Sequence, residues 1–258
     1  MQTVTSTDGT RIAYEEHGTG HPLVLLHGGS ATRHSWGPLI PHLAAEFRLI
    51  VPDRRGRGES GDGDDYSLAR EVQDLRSLVD NIEGDVSVFG HSFGGLVALA
   101  AAAETDIQRL ILYEPALLVG DHRGDNLAAR MREQVAAGDR EEAMKLFYRE
   151  GAGIPDPEAL PIWPAKFDFD LVDTVIRENA AVEGYELPSE VDIVAPTLLL
   201  TGDRGPPHLG DAVRTLDDQL SESRLVELDG VGHIGTQTAP ERVATEIRSF
   251  LQEPIPQA

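Results

Sequence analysis

The segment Gly90-His-Ser-Phe-Gly94 joins two apolar runs of different character. The run before it, residues 86–89, is short and rich in β-branched residues, which predicts a buried strand. The run after it, residues 94–103, is rich in alanine and leucine, which predicts a helix. A serine in the tight turn between them would be held out of the sheet with its hydroxyl exposed. The G-x-S-x-G pattern in this context is typical of a serine nucleophile, here Ser92; the alternative is a simple helix cap.

Strand-like and helix-like segments alternate along most of the chain. Strands are predicted at residues 3–6, 12–16, 22–27, 48–52, 86–89, 109–114, 196–201 and 224–228. Helices are predicted near residues 38–46, 67–82, 94–103, 126–137, 140–149, 171–182, 212–220 and 240–251. This alternation predicts an α/β fold with a mostly parallel central sheet and helices on both faces. Residues 118–190 contain no strand-like run, so we expect a helical cap inserted into a core formed by residues 1–117 and 191–258.

Residues able to carry chemistry follow the predicted strands. Parallel sheets bind ligands at the carboxyl ends of their strands, so residues at these ends should meet at one edge. The residues at these ends are His27-Gly28-Gly29, Asp53, Ser92, Glu114, Gly202-Asp203 and His233.

The order of these motifs resembles the α/β-hydrolase superfamily. A His-Gly-Gly segment follows one strand, Gly-His-Ser-Phe-Gly follows a later one, an acid comes next, and Gly230-Val-Gly-His233 lies near the end. The resemblance extends from about residue 3 to residue 251 and implies an α/β-hydrolase fold with a cap domain. The segments Asp53-Arg-Arg-Gly-Arg-Gly-Glu-Ser-Gly61 and Leu112-Tyr-Glu-Pro115 look like those of a capped bacterial or archaeal subgroup.

The resemblance implies a catalytic triad in the chain order serine, acid, histidine. Ser92 would be the nucleophile and His233 the base that takes its proton. Many relatives carry the acid three residues after a glycine that ends the next-to-last strand, but here that position is Gly205. Glu114, at the end of the strand that follows the nucleophile helix, is the favoured acid, and Asp203 is the alternative.

The remaining site residues follow from the same motifs. The amides of Phe93 and Gly29 are the candidate oxyanion-hole donors, because two donors must face the developing negative charge. We expect the substrate pocket to include His27, Gly28, Trp36 and Trp163, the last from the aromatic part of the cap. Such a pocket favours a largely apolar acyl or alkyl group.

These residues predict a serine hydrolase that cleaves small esters or lactones through an acyl-enzyme, without a cofactor or a metal ion. C–C bond hydrolysis, acyl transfer and perhydrolysis remain alternatives within the same fold. A ligand-binding sensor with little turnover is an alternative of another class. A serine at position 92 argues against epoxide and haloalkane chemistry, for which relatives use aspartate.

The composition restricts the binding partners and the cellular environment that we expect for this protein. The chain has no cysteine and a net charge of −22, so we expect neither disulfides nor nucleic-acid binding. No apolar run is long enough to cross a membrane, and residues 1–8 lack signal-peptide features, so we expect a cytoplasmic monomer or homodimer. Lys145 and Lys166 are the only lysines among many carboxylates, which resembles the proteins of halophiles and predicts stabilisation by salt.

Overall fold

A mostly parallel sheet runs through the molecule. The computed structural model describes residues 1–124, 126–160, 163 and 168–254. Its eight strands are β1 (Gln2–Thr5), β2 (Arg11–His17), β3 (His21–Leu26), β4 (Phe47–Pro52), β5 (Ser87–His91), β6 (Arg109–Tyr113), β7 (Thr197–Gly202) and β8 (Ser223–Leu228). Their spatial order is β1-β2-β4-β3-β5-β6-β7-β8. The β1–β2 and β2–β4 pairs are antiparallel and the other five pairs are parallel. The predicted α/β fold class is confirmed.

Helices connect the strands. Within the described residues they are α1 (Ile40–Leu43), α2 (Leu68–Asp80), α3 (Phe93–Ala102), α4 (Leu127–Ala136), α5 (Arg140–Leu146), α6 (Val172–Gly184), α7 (Pro207–Gln219), α8 (Gly235–Thr238) and α9 (Pro240–Gln252). Short 3₁₀ turns lie at Arg33–Trp36, Gly120–His122, Pro157–Ala159 and Phe169–Leu171, and a π-helical turn lies at Phe147–Gly151. None of these helices is long and apolar enough to cross a membrane.

Helix α7 begins five residues before its predicted start near Ala212, so that boundary was wrong. The reason is Pro207, which occupies the first helical position. Proline is tolerated there because the N–H group it lacks would have no partner inside the helix. The short helix α8 was not predicted from the sequence.

Both faces of the sheet are covered, which explains the continuous apolar runs of its central strands. One face packs against α2, α3 and α7 through residues such as Leu75, Leu96 and Leu216. The other face packs against α1 and α9 through residues such as Leu43 and Ile247. The sheet is thereby fixed, and the loops at its carboxyl edge have a rigid base.

Helices α4, α5 and α6 lie between β6 and β7 in the chain and form a separate hydrophobic cluster that includes Met131, Met144 and Val175. Salt bridges link this helical segment to the loop after β4. Arg54 and Arg57 of that loop both pair with Glu178 of α6, and Arg177 pairs with Asp62. The division of the chain at residues 118 and 190 stays a prediction.

Candidate active site

Ser92 lies in a sharp turn between β5 and α3. Its backbone has φ 53° and ψ −121°, a conformation that non-glycine residues rarely adopt. The amide of Ser92 donates to the carbonyl of Tyr113, and the Ser92 carbonyl accepts from Leu96 and Ala116. These bonds fix the strained turn, so the half-buried side chain of Ser92 stands at the carboxyl edge of the sheet.

The glycines on either side of this turn are required by close backbone contacts. A Cβ atom on Gly90 would lie 2.5 Å from the carbonyl oxygen of Gly94. A Cβ atom on Gly94 would lie 2.3 Å from the carbonyl oxygen of Leu26. The G-x-S-x-G spacing therefore lets α3 pack directly against β5 and β3, which a side chain at either position would prevent.

Glu114 and His233 form a buried hydrogen-bonded pair. His233 Nδ1 lies 2.7 Å from Glu114 Oε2, and the side chain of Glu114 is fully buried. The other carboxylate oxygen accepts hydrogen bonds from Thr201 Oγ1 at 3.0 Å and from the amide of Gly202 at 2.9 Å. Burial raises the pKa of Glu114, but the hydrogen bonds from His233, Gly202 and Thr201 outweigh it, so the pKa lies below its ordinary value. A carboxylate bound to Nδ1–H leaves Nε2 of His233 with a free lone pair.

Of the two acids left open by the sequence, the structure pairs Glu114 with His233. Asp203 is exposed and accepts a hydrogen bond from the amide of Gly230, which makes it part of the turn after β8. Gly205 lies directly beside the Glu114 carboxylate, where an added Cβ would stand 2.4 Å from Oε1. The loop after β7 thus leaves room for an acid that comes from β6.

His91 and Tyr113 hold the loop that carries His233. Nε2 of His91 donates to the carbonyl of His233 at 2.9 Å, and the two imidazole rings lie 4.7 Å apart. Burial, followed by the nearby charge of His233, lowers the pKa of His91 to about 3. The hydroxyl of Tyr113 donates to the carbonyl of Gly232 at 2.7 Å. The sequence did not indicate either contact, because both depend on how β5, β6 and the last loop meet.

Ser92 and His233 line the same cavity, but no hydrogen bond joins their side chains in the described part of the chain. Such bonds are often long before substrate binds and shorten in the reacting complex. Among the described residues, the backbone amides of Gly29 and Phe93 also make no hydrogen bond. Both residues lie beside Ser92 at the surface of a second cavity, where free N–H groups could receive an oxyanion.

Two of the expected pocket residues lie elsewhere. His27 is fully buried behind its loop, with Nδ1 donating to the carbonyl of Gly28 and Nε2 accepting from the amide of Arg54. Burial, followed by the charges of Arg54 and Arg57, holds its pKa well below the ordinary value, so His27 is a neutral support for the loop.

Trp163 packs edge-to-face against Tyr148 and Phe169 in the hydrophobic cluster of the helical segment and lines neither cavity beside Ser92. The aromatic residues of this segment that do line a cavity beside Ser92 are, among the described residues, Phe147 and Tyr148. Gly28 and Trp36 do line a cavity beside Ser92, as expected, although the Trp36 ring is almost wholly buried.

Two cavities meet at Ser92. The first, which we call the leucine-side cavity, has a volume of about 110 Å³. It is lined by Leu117, Leu118, Leu127, Val182, Leu209 and the oxyanion-hole candidates, together with polar side chains such as His122, Glu183 and His208. The second, the histidine-side cavity, has a volume of about 460 Å³ and is lined by residues that include His34, Trp36, His91, His233, Ile234 and Gln237. A substrate centred on Ser92 would thus have a leucine-lined compartment on one side and a compartment that contains the imidazole of His233 on the other.

Comparison with known proteins agrees with this architecture. The sequence pattern of the alpha/beta hydrolase family matches residues 23–246. The chain belongs to the α/β-hydrolase family. An alpha/beta hydrolase from Sphaerobacter thermophilus superposes on this hydrolase with a TM-score of 0.85, at 34% identity, covering 97% of this chain and 100% of the other.

Curated relatives of this hydrolase differ in activity. Lipase LipV of Mycobacterium tuberculosis is 29% identical over 89% of this chain and 92% of its own length. The 2-heptyl-3-hydroxy-4-quinolone dioxygenase AqdC2 of Rhodococcus erythropolis is also 29% identical, over 98% of this chain and 99% of its own. Membership of the family therefore defines the fold, whereas the reaction depends on the residues of the site.

Proposed function

We propose that this protein is a serine hydrolase that cleaves small, largely apolar carboxylic esters or lactones through an acyl-enzyme intermediate. The observation that carries the proposal is the buried 2.7 Å contact between Glu114 and His233, beside a serine held in a strained turn. Glu114 fixes the tautomer of His233 and stabilises the imidazolium that forms when Ser92 loses its proton. An arrangement without nucleophilic chemistry would not need this combination.

The positions of the two cavities support a specific orientation of the substrate. His233 returns its proton to the leaving oxygen, so the alcohol belongs on the histidine side. The acyl chain then extends into the leucine-side cavity, where Leu117 and Leu209 give it an apolar wall. The carbonyl oxygen lies between the two cavities and accepts hydrogen bonds from the amides of Gly29 and Phe93 as its negative charge develops.

The reaction proceeds in two balanced steps. Ser92 Oγ attacks the carbonyl carbon while His233 takes its proton, and collapse of the tetrahedral intermediate expels the alcohol with that proton. Water then attacks the acyl-enzyme, His233 takes a proton from it, and the carboxylic acid leaves as Ser92 is restored. For a lactone the leaving oxygen stays attached to the acyl chain, and the product is a hydroxy acid.

Hydrolysis assays with p-nitrophenyl acetate, p-nitrophenyl butyrate and simple lactones at high salt test the proposal. Turnover should fall at least about a thousandfold in Ser92→Ala. Labelling by a fluorophosphonate probe should disappear in the same variant. Tight binding of these compounds by the wild type without turnover or labelling would contradict the hydrolase and would indicate a ligand-binding sensor.

A further inference from the structure

Glu178 is a buried carboxylate with one oxygen bound and one free. Its side chain projects from α6 and is only 1% exposed. Oε1 accepts hydrogen bonds from both Arg54 and Arg57. Oε2 is buried and has no hydrogen-bond partner among the described residues. Buried polar atoms are almost always hydrogen-bonded, so a free acceptor at this depth calls for an explanation.

The free oxygen lies next to the proposed oxyanion hole. A Cβ atom placed on Gly29 would stand 3.3 Å from Glu178 Oε2. Glu178 also lines the leucine-side cavity together with Ser92 and Phe93. A carbonyl carbon bound by Ser92 would therefore have a hydrogen-bond acceptor close to the first atoms of its acyl chain.

The surrounding charges indicate which kind of group the acceptor would bind. Arg54 also pairs with the buried Glu71, so two arginines face two glutamates in this cluster. Because the formal charges of these four side chains balance, a cationic ligand group at Oε2 would meet no unpaired negative charge within the cluster. A neutral hydroxyl supplies the missing donor without adding charge.

We propose that Glu178 Oε2 accepts a hydrogen bond from the substrate, and that the preferred acyl group carries a hydroxyl on the first or second carbon from the carbonyl. This proposal rests on the hydrolase function argued above and adds a substrate class to it, the esters or lactones of short hydroxy acids. The apolar remainder of the acyl chain still packs against Leu117 and Leu209.

A single substitution can replace the acceptor Oε2 with a hydrogen-bond donor. In Glu178→Gln the two arginines keep the amide oxygen turned toward them, so the NH₂ group takes the place of Oε2. The pocket then presents a donor where the wild type presents an acceptor.

The experiment compares kcat/KM for methyl 2-hydroxybutanoate, methyl 3-hydroxybutanoate, their methyl ethers and methyl butanoate. The wild type should favour at least one hydroxy ester over its methyl ether by about ten- to hundredfold. Glu178→Gln should lose or reverse that preference.

The matched control is Glu71→Gln, which removes one charge from the same cluster but lies outside both cavities beside Ser92. It should keep the wild-type preference, which separates recognition from a general effect of the altered charge. Methyl butanoate has no hydroxyl, so its turnover by each variant reports whether the active site remains intact.

The same esters are titrated calorimetrically into Ser92→Ala and into the double variant Ser92→Ala/Glu178→Gln, which reports recognition without turnover. Hydroxy esters should bind more tightly than their methyl ethers only when Glu178 is present. Absence of ester turnover in the wild type would overturn the proposed function, while this titration would still decide the role of Glu178. Equal selectivity in the wild type and Glu178→Gln, or equal binding in the titration, would overturn the inference. Oε2 would then be satisfied by water or by Arg57 Nε, which is also buried without a partner among the described residues.

Discussion

Gly205 and Glu114 are matched to each other: an added Cβ on Gly205 would stand 2.4 Å from Oε1 of Glu114. Many relatives carry the acid at the position of Gly205, on the loop after β7. In this chain the carboxylate comes from the end of β6 instead, and the space of the missing side chain is filled by Glu114. The acid of the site can therefore come from either of two neighbouring strands, from the end of β6 or from the loop after β7.

Gly205→Ala should lower kcat/KM by about a hundredfold, because its methyl group displaces the carboxylate that orients His233. The measurement is steady-state hydrolysis of a p-nitrophenyl ester, with the melting temperature recorded beside it. Gly184→Ala is the control, since nothing lies within 4 Å of its added Cβ. A folded Gly205→Ala protein with wild-type activity would contradict the proposed role of Glu114.

Glu114→Gln should reduce kcat by about ten-thousandfold, because the amide no longer stabilises the imidazolium of His233. Asp203→Asn should change kcat by less than about tenfold, because that side chain only accepts a bond from the amide of Gly230. Both variants are assayed side by side with one ester. A large loss confined to Asp203→Asn would reverse the assignment of the acid.

The stability of the protein should depend on pH through His91. Its pKa is near 3 in the folded protein, against 6.5 for an unperturbed imidazole, so below about pH 6.5 the unfolded chain binds a proton that the folded chain does not. The free energy of unfolding should therefore fall as the pH falls, with a slope from this group that approaches about 1.4 kcal/mol per pH unit.

The measurement for His91 is urea unfolding between pH 7.5 and pH 4.5. His91→Gln keeps a donor for the carbonyl of His233 but does not titrate, so its stability should fall less steeply with acidity than that of the wild type. Parallel curves for the two proteins would show that His91 binds its proton as readily in the folded chain as in the unfolded chain, which would contradict the lowered pKa.

Salt should stabilise this hydrolase. Its net charge of −22 creates self-repulsion that molar salt screens, because the Debye length shrinks to about 3 Å at 1 M. The melting temperature should rise from low salt to 2 M KCl, by about 2 to 4 °C for each kcal/mol gained. Sucrose at matched osmolality tests for a general solute effect. A melting temperature that does not change with KCl would remove the halophilic interpretation.

The centre of the sheet was predictable because its central strands are buried on both faces and form short apolar runs in the sequence. Each of the eight predicted runs overlaps an observed strand, including the run that ends at Glu114. The chain order also placed Ser92 and His233 at the same edge, since parallel strands end together. Periodicity and strand order thus fixed the positions from which the candidate catalytic side chains project.

The pocket was less predictable, because it depends on how separate segments pack. His27 follows a strand like its neighbours, yet its ring turns inward to support the loop. Trp163 packs against Tyr148 and Phe169 inside the helical segment and does not face the cavities beside Ser92. Glu178 carries a charge on a helix, a pattern typical of an exposed face, and only the approach of Arg54 and Arg57 from a distant loop explains its burial.

Helices α4, α5 and α6 lie after Glu114 and before β7. The segment that contains them contributes none of the groups proposed to break the substrate's bond. Exchange of the gene segment that encodes these helices should change the substrate preference, while Ser92, Glu114 and His233 stay in place. A chimera of this kind has one strict requirement. The incoming segment must place a carboxylate where Glu178 stands, because Arg57 and Arg54 would otherwise lose a partner they share inside the protein.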